Sequence, residues 1–290
     1  MGGEFDSVIV RLGGEIWIKK GWTRRWYLRH LARNMKAALE YYNVAYDKMI
    51  RRDGRFFLRT CEALEVAERL SRVFGVSSVS PALETIAELG AIVDGCLSLA
   101  GRVLSEGDSF AVGCRRVGGH PYTSQEVCRV VGRRVLEEFA ARDVSVDLGS
   151  PDVRFGVEVR DEFGFVFFGV IRGVGGFPLG VQGRVVGLLS SGLDSAVACW
   201  LVMKRGCLVV PVYFDCAPFT DESATERAVE VARVLSDWAV GFPRRLHIVG
   251  YGESLREIVE GAPRRLTCIL CKRLMYRVAE RIADKVGAEG

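Results

Sequence analysis

Two short stretches hold residue types whose spacing suits chemistry. The first is Ser190-Ser191-Gly192-Leu193-Asp194-Ser195, which follows an apolar run and opens a helical pattern. A strand that turns through small residues into a helix offers unpaired backbone N–H groups and the positive end of a helix dipole to an anion. Successive donors can nest around phosphate oxygens with little side-chain bulk, and Ser190 and Ser195 add hydroxyls. Nothing in the chain fits the other common phosphate loop, G-x-x-x-x-G-K-[ST]. The structural alternative is an ordinary Ser/Gly turn capped by Asp194 or Ser195. The second stretch is Cys268-Ile-Leu-Cys271. At i and i+3 of a helix both sulfurs share a face, a spacing for metal or cluster ligation or for thiol exchange. Arg264, Arg265, Lys272 and Arg273 flank it, where cations lower thiol pKa values or meet phosphates. Two buried, inert cysteines are the alternative. Two ligands cannot close a four-coordinate site, and Cys199, Cys207 and Cys216 join only if the fold brings them near.

A basic stripe is the third candidate. Lys19, Lys20, Arg24, Arg25, Arg29, Arg33 and Lys36 fall in one run without an acid. Residues 1–60 hold 13 Lys/Arg against 6 Asp/Glu, whereas residues 61–109 hold 3 against 8. Such a stripe suits a phosphate backbone, whose counterions it would release on binding. A solvated helix face is the alternative, weakened here because like charges this dense repel without an external anion. Trp17, Trp22, Trp26 and Tyr27 lie beside the stripe; their helical spacing predicts core packing over base stacking. His30 and His247 read as structural.

Composition bounds the rest. The 290 residues, 49% of them hydrophobic, suffice for two or three domains with substantial cores. The longest apolar runs are strand-length and the N-terminus lacks a secretory pattern, so a membrane partner is not expected and a cytoplasmic location is. Nine scattered cysteines argue against a disulfide framework.

The elements that must position these residues follow from periodicity. Strands at 7–11, 44–50, 55–60 and 76–80 alternate with helices at 21–40 and 62–74, a βαββαβ order that predicts a ferredoxin-like split arrangement. Leu28, Leu31, Met35 and Leu39 mark the core side of the first helix. A helix at 83–102, a strand at 109–115, a helix at 124–141 and a hairpin of 154–160 with 165–168 follow. Five glycines and a proline in residues 173–183 read as a linker or a loop needing positive φ. From residue 184, near-continuous apolar strands (184–189, 207–214, 244–249) joined by helices (194–205, 221–237, 254–259, 265–286) imply a parallel sheet covered on both faces.

Together these units resemble the tRNA 4-thiouridine synthetases (ThiI-like tRNA sulfurtransferases). The resemblance is carried by Val10-Arg-Leu-Gly-Gly-Glu15, Arg72-Val-Phe-Gly-Val and Ser80-Pro-Ala-Leu-Glu-Thr85. It continues through Arg115-Arg-Val-Gly-Gly-His-Pro-Tyr-Thr-Ser-Gln-Glu126, Gln182-Gly183, the residues Ser190 to Ser195, Met203-Lys-Arg-Gly206 and Pro211-Val-Tyr-Phe. It implies an α/β multidomain fold: an α+β ferredoxin-like domain (1–81), a THUMP RNA-binding domain (82–172), a Gly-rich linker (173–183) and a partial doubly wound PP-loop ATP pyrophosphatase domain (184–290).

The function implied is ATP-dependent tRNA thiolation. O4 of a tRNA uridine attacks the α-phosphate of ATP, pyrophosphate leaves, and a sulfur nucleophile displaces AMP to give 4-thiouridine. Residues Ser190, Ser191, Gly192, Leu193, Asp194 and Ser195 would cradle ATP, with Asp194 organising the loop or a Mg²⁺ ion; a plain helix cap is compatible with that role. Some members hold an iron–sulfur cluster on a pair like Cys268 and Cys271 plus a later cysteine, so this pair is both a catalytic and a possible metal-ligand candidate. Lys19, Lys20, Arg24, Arg25, Arg29, Arg115, Arg116 and His120 are the candidate tRNA contacts. One residue departs from the family, which usually has Gly at Ser191. A Cβ there costs about 1 kcal/mol or more if the position needs φ > 0, so Ser191 either has a tolerant φ or weakens the ATP site.

Three strands fall in the last domain, fewer than the roughly five of such sheets. In the family's order the strand at 184–189 would become an exposed edge. The expectation is therefore a fragment, one half of a split enzyme completed by a second chain or by a homodimer, or a degenerate relative. A sulfur donor is a further expected partner. A tRNA-binding module without its own catalysis is the competing reading, and another PP-loop tRNA-modifying adenylase a weaker third.

Overall fold

The computed structural model describes residues 5–290. In chain order the elements begin with β1 (Ser7–Leu12), α1 (Gly14–Trp17), α2 (Gly21–Tyr41), β2 (Lys48–Arg52), β3 (Arg55–Arg59), α3 (Ala63–Ser71) and β4 (Val76–Ile86). They continue with α4 (Leu89–Val103), β5 (Ser109–Val117), α5 (Ser124–Glu138), β6 (Ser145–Val146), β7 (Val153–Arg160), β8 (Phe163–Phe168) and β9 (Ile171–Arg172). The last are β10 (Arg184–Leu189), α6 (Leu193–Lys204), β11 (Leu208–Asp215), α7 (Glu222–Asp237), β12 (His247–Gly250), α8 (Gly252–Gly261) and α9 (Thr267–Val286). They form two compact units.

The first unit holds the described residues up to Leu12, then Tyr42–Arg72 and Val76–Gly173. One sheet runs through it in the order β2-β3-β1-β4-β8-β7-β5-β6, with β9 also on β4. The expected strand at 44–50 lies at 48–52 instead. The two-residue turn of Asp53 (φ 38°) and Gly54 (φ 79°) sets the hairpin, so the ladder counts back from Arg52 opposite Arg55. A larger departure is at 83–86, expected as the start of a helix. Leu83, Glu84, Thr85 and Ile86 instead extend β4 and pair with Val166, Phe165, Gly164 and Phe163 of β8. Glu84 also meets Arg59 of β3. Cross-strand partners far along the chain outweigh the local helical pattern here. β4 is thus the strand that joins β1 to β8, and it crosses the 81/82 boundary read from sequence.

This unit buries an unusual charge cluster. Glu158 on β7, 3% exposed, accepts hydrogen bonds from Arg11 Nε on β1 (3.0 Å), Arg55 Nε on β3 (3.3 Å) and Arg160 Nη2 (2.7 Å). Burial lowers the pKa of Arg11 and Arg160, and the Glu158 carboxylate works against that. Removing the carboxylate would leave three guanidiniums facing one another in low dielectric.

The second unit holds Gly13–Tyr41, Val73–Gly75 and Val174–Gly290. Its sheet is β10-β11-β12, all parallel. Alternation along the strands sends side chains to two faces. Leu189 and Val209 join Cys199 and Met203 of α6 and Ala232 and Leu235 of α7. Val186, Leu188, Val212 and Phe214 join Leu255 of α8 and Leu274 and Val278 of α9. Among the described residues β10 is an edge strand. Beside it, Glu289 N–H donates to the Arg184 carbonyl (2.9 Å) and Val186 N–H to that of Gly290 (2.6 Å).

Helix α2 belongs to this second unit, although its place in the chain is that of the first ferredoxin-like helix. It buries Tyr27, Leu28, Leu31, Asn34, Met35, Ala38 and Leu39. The glycine-rich residues 174–183 are a packed strap here. Asn34 Nδ2 donates to the Leu179 carbonyl (3.0 Å), Gln182 hydrogen-bonds the Tyr27 hydroxyl, and Gly180 N–H reaches the Gly206 carbonyl (2.8 Å). Gly176, at φ 78°, lies so near the Lys204 carbonyl that a Cβ would sit 2.2 Å from its oxygen. No described helix is long and apolar enough to cross a membrane.

Candidate functional site

The carboxyl ends of parallel strands are where open α/β sheets bind ligands. Here the end of β10 runs through Ser190–Gly192 into α6. Ser195 Oγ accepts the Ser190 backbone N–H (3.0 Å) and lies 2.9 Å from Ser190 Oγ, which in turn accepts the Gly192 N–H (3.2 Å). Ser195 Oγ also reaches the Gly192 carbonyl (3.1 Å). These bonds close the loop into a small ring, leaving the amides of Leu193, Asp194 and Ser195 at the helix start without intrahelical acceptors.

Ser191 carries no positive φ; among the described residues only Asn43, Asp53, Asp143 and Asp161 do so without being glycine. Of the two readings of this departure, the tolerant backbone applies. Asp194 is no cap either: the cap position is Gly192, with no side-chain hydrogen bond. The Asp194 side chain is exposed and makes no hydrogen bond or ion pair among the described residues, so its carboxylate is free for a ligand or cation.

The ends of the other two strands gather residues that motif reading did not single out. Tyr251 N–H donates to the Asp215 carbonyl (2.7 Å), bringing the β12 end against that of β11. Gly252 follows, and a Cβ there would lie 1.7 Å from the Ala217 carbonyl oxygen. Tyr251, 2% exposed, donates its hydroxyl to the Cys271 carbonyl (2.9 Å). Its pKa is pushed up by burial, then by hydrogen bonding with the Cys271 side chain and by the neighbouring Cys271 and Cys216 thiols. Their only signal in the sequence was position, at the carboxyl ends of apolar strands.

Cys268 is exposed and Cys271 half-buried, the second and fifth residues of α9. Cys216 packs with Cys271 against the Phe214–Tyr251 cluster, and burial, then Cys271, raises its pKa. Cys199 is instead on the buried face of α6, and Cys207 bonds the Gln182 carbonyl (3.6 Å). Among the described residues no three Cys, His, Asp or Glu side chains converge as a metal-ligand set. Among the described residues Cys268 and Cys271 thus offer two thiols toward a cluster, not a complete ligand set.

The basic candidates separate into free and engaged groups. On α2, Arg25 and Arg29 are exposed, as is the preceding Lys20. Arg24 is spent on the Lys19 (2.6 Å) and Trp17 (3.1 Å) carbonyls, and Lys19 Nζ lies 5.6 Å over the Phe177 ring. In the first unit Arg115 is exposed. Arg116 bonds the Gly118 carbonyl (2.8 Å) and donates to His120 Nδ1 (3.3 Å), whose Nε2–H donates to the Asp161 carbonyl (2.7 Å). Both ring nitrogens of His120 are thus used in holding its own loop.

Three family models match in chain order: the ThiI ferredoxin-like domain over residues 7–80, the THUMP domain over 87–168, and thiamine biosynthesis protein (ThiI) over 180–290. Fold and loop together define a class, α/β proteins that join ferredoxin-like and THUMP domains to a ThiI PP-loop domain. A probable tRNA sulfurtransferase of Methanosarcina mazei is 41% identical over 289 residues, covering 99% of this chain and 71% of that protein. The chain belongs to the tRNA sulfurtransferase family. Among solved structures, a 4-thiouridine synthetase–RNA complex with bound ATP matches with a TM-score of 0.85 at 30% identity, over 98% of this chain and 72% of that one. The Pyrococcus horikoshii protein PH1313 matches at 0.76 and 32% identity, over 88% and 82%.

Proposed function

We propose that this chain catalyses ATP-dependent thiolation of a tRNA uridine to 4-thiouridine. The observation that carries the reading is the closed loop at the end of β10, with its amides at the start of α6 and a free carboxylate at Asp194. Membership of the tRNA sulfurtransferase family supports it. The loop amides and the hydroxyls of Ser190 and Ser195 hold the phosphates of ATP, stabilising charge on the departing pyrophosphate. The Asp194 carboxylate, a hard oxygen ligand, orients the Mg²⁺ that arrives with ATP. Uridine O4 attacks the α-phosphorus and pyrophosphate leaves; sulfur from a donor then displaces AMP at C4. Cys268, exposed at the start of α9, is the thiol of the pair open to a donor persulfide, taking its outer, sulfane sulfur while the donor leaves as a thiol. Lys20, Arg25, Arg29 and Arg115 supply phosphate contacts for tRNA.

The test is pyrophosphate release from ATP with unmodified tRNA, beside Asp194→Ala and a control without RNA. RNA-dependent release lost in Asp194→Ala is the expected result. Bound tRNA with no release from the unaltered chain would favour a recognition module instead.

A further inference from the structure

Helix α2 carries an aromatic stack on its solvent side. Trp22 and Trp26 stack with ring centroids 5.4 Å apart and planes 14° apart, and Trp26 lies 4.0 Å from the His30 ring. At 100° per residue these i, i+4, i+8 positions lie opposite the buried stripe of Leu31, Met35 and Ala38. Core packing, expected for the aromatic residues of this region, holds for Tyr27 at 4% exposure but not for Trp22 at 61%. One face of the Trp22 ring is covered by Trp26, and the outer end of the stack is open.

The same geometry puts Arg25, Arg29 and Arg33 in a row directly beside the stack, with Arg29 6.0 Å over Trp26. His30 Nδ1 hydrogen-bonds the Trp26 carbonyl (3.1 Å), which fixes the lower end of the ladder. Burial, with Arg33 and Arg29 adding, holds its pKa below the ordinary value.

We propose that Trp22 is a stacking platform for an unpaired base of the RNA substrate, with Arg25 and Arg29 holding the phosphates on either side. This rests on the RNA-binding part of the proposed function and adds a contact that phosphate binding alone does not supply. The occupant must bring both a π face and negative charge, which an unpaired nucleotide does in one group. A second copy of this chain would bring the same acid-free basic run, so like charges oppose self-association on this face. Inside a base-paired duplex every base face is covered by its neighbours, so apart from its two ends a duplex offers phosphates but no free base face.

The experiment measures binding of the full chain to three probes across a salt series: a tRNA transcript, a single-stranded oligoadenylate and a blunt RNA duplex. Trp22→Ala is expected to weaken tRNA and oligoadenylate binding about tenfold or more, with the salt slope and duplex binding unchanged. Trp22→Phe should restore most of the loss. Arg25→Ala with Arg29→Ala should instead lower the salt slope for every probe, by roughly 0.7 to 0.9 for each phosphate no longer neutralised. Unaltered tRNA and oligoadenylate binding by Trp22→Ala overturns the proposal while leaving the basic face intact. An equal loss on the duplex also overturns it. A changed sedimentation coefficient with unchanged RNA binding would give the face to a protein partner and overturn it too. If the unaltered chain binds none of the probes, the RNA-binding reading itself falls. Circular dichroism of each variant separates these results from unfolding.

Discussion

The hydroxyl of Ser195, in the first turn of α6, lies 2.9 Å from that of Ser190 and accepts the Ser190 backbone N–H at 3.0 Å. Two residues five apart thereby close the turn that opens the helix. A phosphate nest works only if its amides already point inward, because reorienting them would cost free energy at the moment of reaction. Ser195→Ala should lower tRNA-dependent pyrophosphate release by about tenfold to a hundredfold. Far-ultraviolet circular dichroism should stay unchanged. A wild-type rate in this variant would remove the hydroxyl from phosphate chemistry.

Glu158 holds three arginines, and its loss leaves their charges buried and facing one another. Glu158→Gln should destabilise the first unit by about 3–5 kcal/mol, read from the denaturant midpoint. Replacing Arg160 by Met in the same background should recover part of that loss. Equal stability of Glu158→Gln and wild type would mean the cluster is solvated in solution.

Gly252 tolerates no side chain, since the obstacle at 1.7 Å is a backbone oxygen and cannot rotate away. Gly252→Ala must therefore push the β11 and β12 ends apart. A cost of roughly 1–3 kcal/mol is expected, seen as a lower Tm, together with reduced ATP binding. An unchanged Tm would contradict the close approach.

The cysteines should react with iodoacetamide in an order set by burial. Cys61 and Cys268 are exposed and should be modified first. Cys114 has its pKa pushed up to about 11, by burial and then by Cys128, from an ordinary value of 9.0. A raised thiol pKa means the folded state binds the proton more tightly. Its stabilising effect is therefore complete below pH 9 and is lost as pH rises toward 11. Peptide mapping should find Cys114 unmodified near pH 8, with its rate climbing only above about pH 9. Early labelling of Cys114 would show that its surroundings open readily.

Much of this protein is legible one segment at a time. The small-residue loop between β10 and α6, the βαββαβ order and the buried stripe of α2 depend on spacing within a few residues. Small residues, apolar period and charge determine them wherever the chain goes. Leu83–Ile86 escape a local reading because their strand state comes from Val166 and its neighbours, some eighty residues away. The same holds for the strap at residues 174–183, whose order depends on Asn34, Tyr27 and Gly206. Tertiary structure alone brought Cys216 beside Cys271 and Tyr251 and gathered Arg11, Arg55 and Arg160 on Glu158. It alone left Trp22 in solvent while Tyr27, on the same helix, was buried. Periodicity tells which residues share a face; only the partners that arrive from elsewhere in the chain decide which faces are covered.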